Sequence, residues 1–249
     1  MIHACRIAEY AVEKSVHPSF TLSHFPKKSA MTSLVIIEST EIFLLFISWY
    51  SKFFIILKRQ QELKVEGGLK MKVLVMNCSP VRNGATAEIV NLVSDCLRDR
   101  YEVKAICIDD FDISYCKGCR TCHDTAKCIQ QDDVDIVIEQ FEWADIIISV
   151  APSYWADVPG QFKVFIDRCT PWCNTHEPHA AISGGKKGYT IALRTGPSMR
   201  ECDRIVESIE HFYGHLEIEC CNRLGLCSVE NREAVEPRKN EIIEFCNKI

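Results

Sequence analysis

From residue 71 onward, short apolar segments alternate with amphipathic ones, and this alternation limits the fold more than any other feature. Strands are predicted at 72–77, 101–108, 145–152, 187–194 and 215–221. Helices are predicted at 85–100, 162–169, 197–214 and 232–249, the last of them broken at Pro237. Alternating strands and helices form a parallel sheet covered on both faces. The sequence therefore predicts an α/β fold with a doubly wound five-stranded parallel sheet, which binds ligands at the carboxyl ends of strands one and three.

The first 70 residues differ in composition from the rest of the chain. They contain no Asp or Asn and hold nine Lys and Arg against six Asp and Glu, whereas residues 71–249 hold 20 against 28. Residues 66–71 read EGGLKM, and one coding sequence for Glu-Gly-Gly, GAAGGAGGT, is a bacterial ribosome-binding site. We therefore expect Met71 to be the natural start. Residues 1–70 are then a non-native upstream extension, with a weakly ordered segment as the alternative.

Charge and hydropathy argue against nucleic acid and membrane as partners. The net charge is −5, and nucleic-acid binding requires a basic face. The long apolar run at 34–57 is interrupted by Glu38, Glu41 and Lys52, while a bilayer span needs about 20 apolar residues. The N-terminus lacks a signal-peptide pattern, so we expect a cytoplasmic protein. In that compartment, clustered members of its 15 cysteines act as metal ligands or redox groups rather than as disulfides.

The loop after strand one offers groups that suit a phosphate. Ser79, Asn83 and Thr86 supply hydroxyl and amide donors, and Gly84 lets the backbone approach a ligand closely. The following helix begins here, and its free N–H groups favour an anion. The loop matches neither the Walker pattern nor G-x-G-x-x-G. A phosphate monoester therefore fits, with an ordinary strand-to-helix turn as the alternative.

The loop after strand three offers groups that suit a flat ring. Tyr154 and Trp155 follow the strand directly, and aromatic side chains there can wall a planar ligand. The backbone groups of residues 152–155 can bond the polar edge of such a ring. Packing of both rings beneath the next helix is the alternative. Together, one loop for a phosphate and one for a ring predict a mononucleotide such as FMN.

Four cysteines stand within residues 116–128, where the chain reads CKGCRTCHDTAKC. Ferredoxin-type [4Fe–4S] clusters are bound by cysteines at the same short intervals, and Gly118 permits tight wrapping of such a loop. Structural zinc sites use two C-x2-C pairs separated by a longer span. The spacing favours a [4Fe–4S] cluster on a cysteine-rich loop insertion. Zinc and free redox thiols are the remaining interpretations.

The chain resembles the flavodoxin-like NADPH-dependent FMN reductase family, specifically its iron–sulfur flavoprotein branch, in three segments: MKVLVMNCSPVRNGATAEIV, CKGCRTCHDTAKCIQQDD and PSYWADVPGQFKVFIDR. The similarity covers nearly all of residues 71–249 and none of residues 1–70. It implies a flavodoxin-like FMN-binding domain that associates into homodimers or homotetramers. The first loop of the family reads like G-S-P-R-x-x-G-N-T. Here Cys78 replaces the first Gly and Ala85 replaces the Asn, which removes one phosphate contact.

The resemblance also implies residues for each cofactor. At and around the phosphate these are Ser79, Arg82, Asn83, Gly84 and Thr86. At the flavin ring they are Pro152, Ser153, Tyr154 and Trp155, with Gly196 in a third loop after strand four. The cluster ligands are the four cysteines of the 116–128 loop: Cys116, Cys119, Cys122 and Cys128.

The sequence contains no convincing catalytic triad or carboxylate pair, so no residue is predicted to be catalytic and the cofactors are expected to carry the chemistry. The predicted function is an oxidoreductase that couples one- and two-electron carriers through FMN and a [4Fe–4S] cluster. Its expected electron donor is a ferredoxin or NAD(P)H. The basic residues Lys117, Arg120 and Lys127 form the predicted contact with an acidic ferredoxin. The alternatives are an NAD(P)H-dependent FMN or quinone reductase without a cluster, and a non-enzymatic cysteine redox sensor.

Overall fold

The computed structural model of the protein describes residues 70–249, and the expectations for the N-terminal segment fall on residues 1–69, which lie outside that range, and on Lys70. The described chain forms a five-stranded sheet in the order β2-β1-β3-β4-β5. All neighbouring strands are parallel. The strands are β1 (Lys72–Asn77), β2 (Glu102–Cys107), β3 (Ile146–Pro152), β4 (Lys187–Leu193) and β5 (Glu219–Leu226). This strand order confirms the predicted flavodoxin-like doubly wound sheet.

Helices connect the strands and cover both faces of the sheet. They are α1 (Ala85–Leu97), α2 (Thr121–Thr125), α3 (Val134–Trp143), α4 (Gly160–Arg168), α5 (Met199–His215) and α6 (Lys239–Cys246). Short 3-10 helices lie at Ile108–Asp110, Thr170–Trp172 and Glu233–Arg238. The last of these contains Pro237 and ends where α6 begins, which confirms the predicted break. Proline stops an α-helix because it lacks an N–H donor and clashes with the preceding turn.

Each face of the sheet has its own hydrophobic core, because alternate side chains of a strand point to opposite sides. In β1, Val73 and Val75 pack with α1 and α6, whereas Leu74 and Met76 pack with α3, α4 and α5. The core on the second side contains stacked, tilted and edge-to-face ring pairs among Phe141, Phe162, Phe165 and Phe212. The near-continuous burial of β1, β3 and β4 is typical of central parallel strands.

The end of α5 and the start of β5 differ from the sequence prediction. The helix extends through His215, so Gly214 lies inside it, and Glu217 takes the left-handed conformation (φ 58°) that ends it. Leu216 and Ile218 are buried in the core between helix and strand. The strand therefore begins at Glu219, four residues later than predicted. Because β5 is an edge strand with half-exposed residues, its own apolar pattern is weak. The sequence prediction therefore assigned the apolar connection before β5, which contains Leu216 and Ile218, to the strand itself.

The carboxyl ends of all five strands lie at one edge of the sheet, and the loops that follow them gather there. Within the described range, none of the helices combines the length and the apolar character that a bilayer crossing requires. The apolar run at residues 34–57 lies outside that range.

Candidate functional site

A cavity of about 460 Å³ opens at the carboxyl edge of the sheet. Its volume falls within the range of about 300–1,000 Å³ that small-molecule sites occupy. The walls come from the segments after β1, β3, β4 and β5: Ser79, Val81, Asn83–Thr86, Pro152–Tyr154, Leu193–Thr195 and Val229–Glu233. The lining includes seven of the ten cofactor-binding residues predicted from the sequence: Ser79, Asn83, Gly84, Thr86, Pro152, Ser153 and Tyr154.

The loop after β1 is held in shape by its own side chains. The Ser79 N–H donates to Asn77 Oδ1 at 2.9 Å, and the Val81 N–H donates to Ser79 Oγ at 3.1 Å. Asn77, Ser79 and Thr86 are each only 3% exposed. Because polar side chains with these partners are costly to rearrange, the loop presents a preformed concave surface.

The first turn of α1 forms the floor of this loop. Gly84 precedes the helix, and the first four N–H groups of an α-helix have no partner within the helix. A Cβ atom at Gly84 would lie 3.0 Å from Val81 Cγ1, so glycine keeps the loop and the helix close together. The unpaired N–H groups and the helix dipole favour an anion at this point.

Arg82, predicted as a phosphate ligand, points away from the cavity in this structure. Its guanidinium pairs with the side chains of Asp109 and Asp110 and donates to the Asp109 carbonyl oxygen at 2.6 Å. Arg82 is absent from the cavity lining. Arg82 thus connects the β1 loop to the segment that leads into the cysteine loop. Its role as a phosphate ligand stays a prediction.

The loop after β3 contributes one aromatic ring to the cavity rather than two. Tyr154 lines the cavity and forms a two-residue turn with Asp157, with N–H···O bonds of 2.9 and 3.1 Å. The turn places Trp155 (φ 55°) and Ala156 (φ 61°) in the left-handed region. Trp155 stands at its tip, fully exposed and outside the cavity lining. Its predicted contact with a flavin ring stays a prediction.

Arg194, at the end of β4, is a cavity residue that sequence reasoning missed. It pairs with Glu201 at 3.0 Å, and Glu201 also accepts from Ser153 Oγ at 2.8 Å. Its Nε atom is buried and has no hydrogen-bond partner among residues 70–249. A buried donor of this kind is costly unless a ligand supplies an acceptor. A Cβ atom at Gly196 would lie 2.3 Å from Arg194 Nη2, so Gly196 makes room for this side chain.

The segment after β5 was also missed, although its position follows from the topology. Residues 229–233 line the cavity, and Arg232 pairs with Glu88 in the first turn of α1. The sequence prediction ended this strand at residue 221, whereas β5 ends at Leu226. Residues 229–233 were therefore not recognised as the loop that follows a strand end. The cavity therefore has two basic side chains, Arg194 and Arg232, that the sequence alone did not indicate.

The cysteine loop leaves the same edge of the sheet after β2 and the 3-10 helix at Ile108–Asp110. Its backbone is left-handed at Gly118 (φ 64°), Arg120 (φ 62°) and Ala126 (φ 54°). Residues other than glycine adopt this conformation at a cost of about 1–3 kcal/mol, so the loop is tightly and unfavourably wound. The Gly118 N–H donates to Cys116 Sγ at 3.4 Å. Such N–H···S bonds are one of the factors that tune iron–sulfur clusters.

The four cysteines of this loop affect one another electrostatically. Burial raises the pKa of the Cys122 thiol, and the nearby thiols of Cys128, Cys116 and Cys119 raise it further. In contrast, the Thr121 N–H and hydroxyl donate to Cys119 and lower the pKa of its thiol. Charge coupling of this kind requires the sulfur atoms to lie near one another. The loop therefore gathers all four thiols into one neighbourhood.

The thiols are neighbours without being arranged as ligands. Among residues 70–249, no three or more His, Cys, Asp or Glu side chains are arranged to hold a metal ion. The described cysteines, Cys78 to Cys246, are free thiols. Four cysteine thiolates on a short wrapped loop are nonetheless the donor set that a [4Fe–4S] cluster requires. The residues present fit such a cluster by their chemistry.

The order of the strands reverses direction between β1 and β3, at the switch point of the sheet. This order, together with the anion-favouring loop after β1, defines a flavodoxin-like α/β protein. Residues 71–223 match the NADPH-dependent FMN reductase family. The chain belongs to this family, which confirms the resemblance found in its sequence.

Curated relatives within this family are named iron–sulfur flavoproteins. One from Archaeoglobus fulgidus is 32% identical over 127 residues, covering 51% of this chain and 56% of that protein. Another, from Clostridioides difficile, is 39% identical over 105 residues, covering 39% of this chain and 45% of that protein. The chain thus spans about half the length of the curated relatives it matches.

Solved structures share the fold at low sequence identity. The NAD(P)H:quinone oxidoreductase from Methanothermobacter marburgensis aligns with a TM-score of 0.56 at 14% identity, covering 71% of this chain and 96% of that one. An FMN-dependent NADH-azoreductase from Bacillus anthracis, in complex with FMN, aligns with a TM-score of 0.55 at 12% identity, covering 72% and 98%. These structures establish the common architecture of the sheet and helices.

Proposed function

We propose that this protein is an FMN-containing oxidoreductase whose cysteine loop holds a [4Fe–4S] cluster and exchanges electrons with the flavin. The observation that supports it most is the cavity at the switch point, formed by four strand ends at the edge from which the cysteine loop also leaves. Membership of the FMN reductase family and the iron–sulfur flavoprotein relatives support the same conclusion.

The phosphate end of the flavin would lie on the β1 loop and the start of α1. Ser79, Asn83 and Thr86 would donate hydrogen bonds, together with the free N–H groups of the first helical turn. Pro152, Ser153 and Tyr154 would border the ring. The buried Nε of Arg194, which has no partner among residues 70–249, would donate to an acceptor on the ligand.

The cluster would be held by Cys116, Cys119, Cys122 and Cys128. When bound, FMN would supply one- and two-electron chemistry and the cluster one-electron transfer. The chain's own residues would position the two sites relative to each other. Arg82 connects the β1 loop to Asp109 and Asp110 at the base of the cysteine loop.

The electron donor would be NAD(P)H or a ferredoxin. Lys117, Arg120 and Lys127 are all exposed on the cysteine loop and carry positive charge on a protein of net charge −5. Local basic groups of this kind steer an acidic partner to one face and raise the rate of encounter. A ferredoxin would therefore dock next to the proposed cluster.

The test is anaerobic purification, reconstitution with iron and sulfide, and assay of flavin, iron, sulfide and zinc. About four iron atoms and one FMN per chain are expected. Cys119→Ser should lose iron and keep FMN. The matched control Cys221→Ser, an exposed cysteine on β5, should keep both.

The remaining outcomes discriminate between functions. FMN without iron would favour a plain NAD(P)H-dependent reductase, and zinc in place of iron would give the cysteine loop a structural role. A protein with neither FMN nor metal, but with thiols that oxidise reversibly, would favour a redox sensor. Equal iron content in Cys119→Ser and the wild type would refute the assignment of the cluster to this loop.

A further inference from the structure

Arg168, the last residue of α4, is a charged side chain in the protein interior. Its side chain is 1% exposed, and it is the largest fully buried side chain of the described residues. A buried charge is strongly destabilising unless it is paired and hydrogen-bonded. The partners of Arg168 therefore show what this position is built to do.

The guanidinium of Arg168 contacts the cysteine loop and the segments on both sides of it. It pairs through two nitrogens with the Asp132 carboxylate, the Nη2–Oδ1 distance being 3.1 Å. Nη1 also donates to the Ser114 carbonyl oxygen at 2.6 Å. Nη2 also donates to Cys128 Sγ at 3.5 Å. One buried side chain thus joins the segments before and after the loop to the sulfur of its fourth cysteine.

Asp132 fixes the guanidinium in this position. Its carboxylate also accepts from the Ser114 N–H at 3.1 Å and the Val134 N–H at 3.3 Å. Planar arginine–carboxylate pairs with two parallel bonds are geometrically specific. The pair leaves Nη2 aimed at Cys128, where a lysine could not reproduce the same fork of donors.

We propose that Arg168 is a positioning residue for the cluster, which holds Cys128 in place and favours the reduced form. The inference rests on the proposed function. One-electron reduction adds one negative charge to a cluster and its thiolates. A cationic donor on a ligand sulfur stabilises that added charge, because hydrogen bonds to the sulfurs and nearby net charge set cluster potentials. Loss of the guanidinium therefore lowers the midpoint potential.

A purely structural clasp would give a different result, and two variants separate the possibilities. Arg168→Gln removes the positive charge and lowers the potential. Asp132→Asn removes the balancing negative charge but leaves the guanidinium, so the potential rises. A clasp that only closes the loop would lower cluster content in both variants and shift the potential in neither.

The experiment is a redox titration of the reconstituted full chain, followed by electron paramagnetic resonance of the reduced cluster. At a fixed potential, the reduced-to-oxidised ratio of Arg168→Gln should fall about tenfold, which equals a shift of about 59 mV for a one-electron couple. Arg204→Gln, an exposed arginine on α5, is the matched control and should titrate like the wild type. Iron content and the thermal melting of each apo variant are measured alongside.

Each outcome decides the question. If Arg168→Gln holds a cluster whose potential equals that of the wild type, this inference is overturned and the proposed function is left intact. A wild-type protein that takes up no iron overturns both. Should Arg168→Gln fail to hold a cluster, Asp132→Asn decides: it keeps the guanidinium and removes only the balancing negative charge, so a raised potential supports the inference and a level or lowered potential overturns it.

Discussion

The hydroxyl of Thr86 offers a direct test of the proposed phosphate site. Thr86 is 3% exposed, lies in the first turn of α1 and lines the cavity. Within the described loop and helix, the hydroxyl hydrogen bonds are made by Ser79 and Ser94, not by Thr86. Thr86→Val keeps the shape and the β-branch, so little folding stability should be lost. A hydrogen bond to a charged group contributes about 1.5–3 kcal/mol. The Kd for FMN should therefore rise roughly 10- to 150-fold.

Fluorescence titration of the apo protein with FMN measures this change, and urea denaturation of the apo protein measures stability. Ser94→Ala is the matched control, because Ser94 lies in the same helix and its buried hydroxyl donates to the Val90 carbonyl oxygen at 2.7 Å, away from the cavity. It should lower stability by about 1 kcal/mol and leave the Kd unchanged. Weakening of FMN binding in both variants, or in neither, would refute the placement of the phosphate at this helix terminus.

Three further predictions concern the scaffold beneath the site. A Cβ atom at Gly188 would lie 2.5 Å from Tyr213 Cδ2, so Gly188→Ala should destabilise the protein by about 1–3 kcal/mol in urea denaturation. The hydroxyls of Tyr213 and Ser149 bond at 2.6 Å and are buried. Tyr213→Phe or Ser149→Ala alone should cost about 1–3 kcal/mol, and the double variant less than the sum of the two, in a double-mutant cycle. Burial opposes ionisation of Asp132, but hydrogen bonds from Arg168 and two backbone N–H groups hold its pKa below 3.8. Its contribution to stability is therefore complete above pH 3.8 and is lost as the pH falls through the lower folded-state pKa, a loss that Asp132→Asn should abolish in acid denaturation curves.

The central strands could be predicted from sequence because each is buried on both faces. The prediction at 72–77 coincides with β1, and those for β3 and β4 differ from the structure by one residue at an end. The edge strand β5 carries polar residues such as Asn222 and Arg223, so its pattern is not that of a buried strand. Helix ends were similarly obscured, since Glu217 rather than Gly214 takes the left-handed position after α5. Tertiary burial of Leu216 and Ile218 decided both boundaries.

The cavity was partly predictable, for a related reason. Loops that follow β1 and β3 were assigned to it because the topology fixes where those strands end, and most of the named residues do line it. Side-chain direction is not fixed by topology. Arg82 is drawn aside by Asp109 and Asp110, and Trp155 is turned outward by a tight turn. Arg194 was missed because nothing local marks a buried, unpaired donor.

The environments of the cysteines explain why the loop, and not the high cysteine count, indicates the chemistry. Burial raises the pKa of Cys202 and Cys246 to about 12, and raises those of Cys78 and Cys169 as well. These thiols stay protonated at neutral pH and behave as small apolar side chains, whereas metals bind thiolates. Cys119 has the opposite environment, exposed and stabilised as a thiolate by Thr121. The lowered pKa of Cys119 therefore distinguishes the cysteine loop from the buried cysteines of the core, whose thiols are poor metal ligands.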